Sequence, residues 1–259
     1  MSLTIDSERE QKRIAEFINN VLVKTGANGI VIASSGGVDS ATVLALTAKA
    51  IGKERTHALL LPCGELGSTA LTRAANFTKQ LALGNVRTID IAPIVYAAAD
   101  ALALGDDDMV RRGNIMARIR MLAVFDYAKA NNLLVSGTEN KSEYLLGYFT
   151  RFGDEASDFE PIRHLYKTQI YDLARFLGVS EEIVAAKPTA DLWQEQTDEK
   201  ELGFSYDDAD LILEQYFDEL RSVSDIERQF PDAGKVVAYT KKNHFKHEVP
   251  YLPDFMIDD

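Results

Sequence analysis

The chain has 259 residues, 46% hydrophobic and 26% charged, with a formal net charge of −12. That length and mix fit one soluble domain with a sizeable core, taken as residues 1–259. No apolar run approaches the ~18 residues that span a bilayer, residues 1–12 lack a signal-peptide core, and the acidity speaks against nonspecific nucleic-acid binding, which works by neutralising phosphates.

In chain order, a helical period covers residues 7–23 and a short apolar run covers 29–33. Ser35-Gly36-Gly37-Val38-Asp39-Ser40 follows. Helical residues 41–51 come next, then an apolar run at 58–61, a helix at 68–83, an apolar run at 87–91, a helix at 114–131 and an apolar run at 133–136. Apolar runs without polar alternation predict buried strands of a parallel sheet covered on both faces. The expected fold class is therefore α/β, a doubly wound, mostly parallel sheet flanked by helices, with ligands at the strands' carboxyl ends. Residues 144–165 and 186–206 lack a clean period and read as long loops, with helices again at 166–177 and 207–222. Long loops in a compact domain are commonly functional. Polar and aperiodic, residues 188–205 are expected to move when no ligand is bound. The single cysteine, Cys63, excludes an internal disulfide, suits a reducing cytoplasm, and reads as a small core or loop residue.

The glycine hexamer carries the chemistry. Strand, glycine turn and helix start present backbone N–H groups and a positive helix end to an anion. The glycines permit close approach, and Ser35 and Ser40 add hydroxyl donors. A kinase-type loop would place a lysine before its last Ser/Thr. Here Asp39 stands in that place, and a carboxylate beside phosphates calls for a divalent cation, Mg²⁺ by preference. Glu143, in Gly137-Thr138-Glu139-Asn140-Lys141-Ser142-Glu143, reads either as a second carboxylate for that cation or as a helix-start acid stabilised by the dipole. Arg111, Asn114 and Arg118 share a helical stripe that reads either as an anion-binding face or as a solvated one. The lone Trp193 lies in a lid or a packed loop.

The hexamer resembles the PP-loop of ATP pyrophosphatases. With GNIMARIRM (113–121), GTENKSE (137–143), GYFTRFGD (147–154), KPTADLW (187–193), QTDE (196–199) and ELGFSYDD (201–208) in that order, the chain resembles the ammonia-dependent NAD synthetases. The likeness runs to about residue 250. It implies a Rossmann-like, adenine nucleotide alpha hydrolase-like fold and a cytoplasmic homodimer. ATP would adenylate the nicotinate carboxylate of deamido-NAD with release of pyrophosphate, and ammonia would then displace AMP to form the C–N bond of NAD. By resemblance, Ser35, Gly36, Gly37, Val38, Asp39, Ser40, Thr138, Lys167 and Thr189 would contact ATP. Asp39 and Glu143 would hold Mg²⁺, and with Lys167 would form the catalytic set. Arg118, Arg151, Asp158, Phe245 and Lys246 would contact deamido-NAD.

Glutamine-dependent relatives add a glutaminase domain for which this length leaves no room, so free ammonia is the expected donor. Segment 62–68 lacks the family's acidic cluster, Arg151 replaces a common lysine, and His244-Phe245-Lys246-His247 departs from the usual ending. Alternative readings are another PP-loop adenylating enzyme, GMP synthetase-like or tRNA-thiolating, and a noncatalytic ATP-binding module.

Overall fold

The structure, a computed structural model, describes residues 3–105, 107–193, 195–248 and 250–251. Asp6 caps α1 (Ser7–Thr25) by accepting the Arg9 N–H at 3.0 Å, and Gly26, with φ 69°, ends it. Ile14, Ile18 and Leu22 recur every four residues along α1 and form its buried stripe. There follow β1 (Gly29–Ala33), α2 (Val38–Ile51), β2 (Thr56–Leu60), α3 (Ser68–Gln80), β3 (Asn85–Thr88), α4 (Ala92–Ala101), α5 (Met109–Asn131) and β4 (Leu133–Ser136).

All four strands are parallel, in the order β3-β2-β1-β4, with Ile30 opposite Thr56 and Gly29 opposite Leu133. Alternation divides the core. Ile30 and Ile32 pack with α1, α2, Phe77 of α3 and the later helix α7 (Lys167–Leu177), whereas Val31 packs with Val95 of α4 and Met116 and Val124 of α5. This is the doubly wound arrangement expected. The strand order reverses between β1 and β4, the switch point at which such sheets place ligands.

A third core lies beyond β4. It joins α6 (Lys141–Leu146), α9 (Asp198–Leu202), α10 (Tyr206–Leu213), α11 (Val223–Ile226) and α12 (Ala233–Asn243), whereas α8 (Glu181–Val184) packs into the first core with α2 and α7. No helix among the described residues is long and apolar enough to cross a membrane.

Several expectations need correction. The third strand is Asn85–Thr88, an edge strand that is half-buried to exposed, because the sheet ends there; the apolar Ile91 is buried beyond it. Helix α4 starts behind Ile91 with a proline in its first turn and no side-chain cap, so capping residues give no sign of it. The expected loops contain α9 and the end of α6, and α8 lies between residues 177 and 186, where no element was expected. Helix α10 stops at Leu213 and opens into a π-helical turn, Glu214–Asp218. There Asp218 accepts the Lys141 ammonium at 2.6 and 2.7 Å and the Tyr166 hydroxyl at 2.9 Å.

Candidate active site

The glycine loop leaves β1 at its carboxyl end. Gly36 has φ 82°, and a Cβ on it would lie 2.1 Å from the carbonyl oxygen of Ala70 in α3. Only glycine fits, and the loop is pressed against α3. Ser40 Oγ lies 3.1 Å from Ser35 Oγ and accepts the Ser35 N–H at 3.2 Å, while Ser35 Oγ accepts the Gly37 N–H at 3.3 Å. The two serines thus cross-brace the turn. No side chain caps α2, so its first-turn N–H groups stand toward the cavity as donors for an anion.

Across the switch point, Asn140 caps α6 by accepting the Glu143 N–H at 3.0 Å and donates its amide to Asp39 Oδ1 at 2.9 Å. One asparagine therefore fixes both acidic residues. Lys167, the first residue of α7 and 3% exposed, places Nζ 2.6 Å from Asp39 Oδ2 and 3.0 Å from Glu143 Oε1. Its ring neighbour is Tyr206, 5.2 Å from the ammonium. Asp210, buried on α10, accepts the Ser142 hydroxyl and the Thr168 N–H, and Ser142 Oγ accepts the Lys167 N–H at 2.9 Å. The starts of α6 and α7 are locked together this way, which brings Glu143 to Lys167.

Electrostatics follow from that crowding. Burial opposes the Lys167 ammonium, yet Asp39 and Glu143 hold its pKa well above the usual lysine value. Burial pushes Glu143 up to about 8; Lys167 pulls it down, while Asp39 and Asp198 add to the rise. Asp198 is itself raised by burial and accepts the hydroxyls of Tyr148 and Tyr206, each at 3.3 Å. Asp39 and Glu143 are hard oxygen donors of the kind that would hold a divalent ion together with phosphate oxygens and water, and the Lys167 ammonium occupies the space between them here. Among the described residues, no group of three or more His, Cys, Asp or Glu is placed to hold a metal.

A cavity of about 510 Å³ opens over this centre. Its walls include Ser35, Gly37, Val38, Asp39, Ser40, Thr138, Glu143, Lys167, Thr189 and Lys246. Gly36 belongs to the loop but turns to α3. Lys246 donates to the carbonyls of Gly147 at 2.7 Å and Phe149 at 2.8 Å. Four other predicted residues stand apart from the cavity wall. Arg118 is exposed and donates to the Arg151 carbonyl at 3.2 Å, and the Arg151 guanidinium lies 5.6 Å from the Phe245 ring. Asp158 accepts the Val135 N–H at 2.7 Å and donates its own N–H to the Val135 carbonyl, extending the sheet beside β4.

The NAD synthase family model matches residues 10–250. The chain belongs to the NAD synthase family. An NH(3)-dependent NAD(+) synthetase of Pyrococcus horikoshii is 40% identical over 258 residues, 97% of this chain and 96% of that one. Among solved structures, an NMN synthetase from Francisella tularensis superposes with TM-score 0.85 at 30% identity, covering 97% of this chain and 100% of that chain. An NH3-dependent NAD synthetase from Campylobacter jejuni gives TM-score 0.81 at 31% identity, covering 96% and 100%. Residues 10–250 include every element described above from β1 to Lys246.

Sequence reasoning missed several cavity residues. Arg120, Asp154 and Asp198 lie inside the quoted motifs without an assigned role, and with Tyr148, one of the aromatics able to stack on a flat ring, they line the cavity. Their signal was the motif itself, since a helical phase starting at Asn114 rather than Arg111 brings Ala117, Arg120, Met121 and Val124 inward. Arg73, on α3, carried no sequence signal.

Proposed function

We propose that the chain is an ammonia-dependent NAD synthetase, a ligase that uses ATP to amidate the nicotinate carboxylate of deamido-NAD. The observation that carries this reading is the meeting of Asp39 and Glu143 around Lys167, beside an uncapped helix start in a glycine loop. A carboxylate is a poor acyl donor. Attack of its oxygen on the α-phosphorus of ATP breaks the bond to pyrophosphate and leaves AMP as a good leaving group. Ammonia then attacks the carbonyl carbon, and the C–O bond to AMP breaks.

The chain's own groups serve charge and position. The first-turn N–H groups of α2 and the hydroxyls of Ser35 and Ser40 receive phosphate oxygens, where negative charge grows as pyrophosphate departs. Lys167 offsets that charge from its fixed place between the two acids. Asp39 and Glu143 would hold Mg²⁺, which when bound neutralises phosphate charge and polarises the P–O bonds. Thr138 and Thr189 add hydroxyls on the cavity wall, and Lys246 adds a cation. Arg118, Arg151 and Phe245 form a separate cluster for the remote part of the dinucleotide, with Asp158 at the sheet edge nearby in sequence.

The reading includes a cytoplasmic homodimer. The likeness to a Francisella NMN synthetase favours one second reading, in which the acceptor is nicotinate mononucleotide. Purified protein with ATP, Mg²⁺ and ammonium tests both. Stoichiometric AMP, pyrophosphate and NAD from deamido-NAD are expected. Preference for the mononucleotide would replace the acceptor, equal use of glutamine would overturn the donor, and absence of any AMP would overturn the ligase.

A further inference from the structure

A glycine loop without lysine leaves the far end of a triphosphate short of positive charge, because Asp39 occupies the lysine's place. Helix α3 brings a cation there. Ala70 touches Gly36, and Arg73, three residues on, shares the face of α3 that abuts the loop. The Arg73 Nε–H donates to the Gly36 carbonyl at 3.2 Å. That bond uses one of five guanidinium donors and fixes the plane of the rest.

The guanidinium forms part of the wall of the main cavity and of an adjoining cleft of about 590 Å³. Both spaces share Gly67, Ala70, Arg73, Lys187, Thr189 and one acid, Asp191, and the adjoining cleft also has Glu65 and Glu195 on its wall. Among the described residues, neither Arg73 nor Lys187 has a carboxylate within the 4.0 Å of an ion pair, in a chain with 40 acidic residues. Two cations without acidic partners, one latched to an anion-binding loop, define a place for a strongly anionic group.

We propose that Arg73, with Lys187 lining the same space, binds the terminal phosphates of ATP and retains the departing pyrophosphate. The idea rests on the ATP-cleaving reading above. Arg73 supplies from a neighbouring helix the charge that the loop lacks, in the planar, forked form that suits two phosphate oxygens.

Affinities for ATP, inorganic pyrophosphate and AMP, measured by calorimetry without acceptor, test it. Arg73→Gln is expected to weaken ATP and pyrophosphate by about 10- to 100-fold, the range for losing charge-assisted hydrogen bonds, and to leave AMP unchanged. An equal loss for all three ligands would make Arg73 a mere latch on Gly36 and overturn the proposal, as would no loss. Should Arg73→Gln fail to melt cooperatively, Arg73→Lys decides. A lone ammonium cannot hold Gly36 and a phosphate pair together, so a loss of about 3- to 10-fold confined to ATP and pyrophosphate is expected; an equal or absent loss again overturns it. Wild-type protein that binds neither ATP nor pyrophosphate would sink both readings. Wild-type protein that binds ATP but leaves deamido-NAD unamidated would sink the acceptor alone, and the three affinities would still judge Arg73.

Discussion

Replacing Lys167 by methionine tests the centre of the site most directly. Methionine reproduces the lysine stem as far as Cε and removes the buried ammonium with its own desolvation cost, so packing is little disturbed. What remains is Asp39 and Glu143 facing each other, with only the Asn140 amide on Asp39 as a donor. Two contacts, at 2.6 and 3.0 Å, are lost from an ammonium that is 3% exposed. Removing one partner of such a buried pair costs about 3–5 kcal/mol, which for a domain of this size lowers Tm by about 6–20 °C.

The cost must depend on pH. Glu143 already sits at about 8 with Lys167 pulling it down, and without Lys167 its folded pKa rises further. A raised acid stabilises the fold while protonated and loses that contribution as pH rises through the folded pKa. The difference between Lys167→Met and wild type should therefore be small near pH 6 and grow toward pH 9. Urea unfolding at several pH values measures it, alongside AMP release under saturating ATP, expected to fall at least about 100-fold with loss of a charge at the departing phosphates. A difference under 1 kcal/mol that is flat with pH would refute the reasoning that the three groups form one electrostatic unit.

Gly36→Ala should cost about 1–3 kcal/mol from the left-handed backbone alone, and the 2.1 Å approach to Ala70 should displace the loop and abolish ATP binding by calorimetry; a variant that binds ATP normally would show that the loop tolerates a Cβ. Glu139 is raised by burial to about 9 and Glu160 to about 7, with Arg163 between them. Wild-type stability should thus decline from pH 6 to 9, and Glu139→Gln should flatten that slope; parallel urea-midpoint curves would contradict the assignment. Asp210→Asn exchanges one acceptor of the Ser142 and Thr168 bonds for a donor. It should cost about 1–3 kcal/mol and lower turnover with little change in the deamido-NAD KM, whereas unchanged turnover would detach this clamp from the site.

Much of the layout was readable because it is local. The hexamer Ser35 to Ser40 needs only its flanking strand and helix to become an anion cradle, and α1, α2 and α5 follow their apolar periods. What was not readable depends on tertiary contact. Glu143 and Lys167 are separated by a loop and meet only because Asp210, from α10, ties both helix starts. Arg118 and Arg120 differ by about 200° around α5. The helix's docking onto the sheet, rather than its polarity, turns Arg120 to the cavity and leaves Arg118 exposed. The edge strand β3 was placed two residues late because the apolar run continues past the ladder to Ile91, which is buried in a cluster shared by α4, α5 and the sheet.

The same distinction explains how a chain of net charge −12 can serve polyanionic substrates. Screening at physiological salt limits the reach of surface charge to about 8 Å, so the distributed acidity keeps the protein soluble without governing the cavity. Inside, Arg73, Arg120, Lys167, Lys187 and Lys246 converge on one space, where neighbouring low-dielectric walls strengthen each contact. Six acids also line that space, Asp39, Glu143, Asp154, Asp191, Asp198 and Glu201, and three of them are placed differently from the surface ones. Asp39 and Glu143 are held on a lysine, and Asp198 is held by two tyrosine hydroxyls. Their charge is therefore counterbalanced locally, and the field that an incoming triphosphate meets is set by the cations whose carboxylate partners are missing.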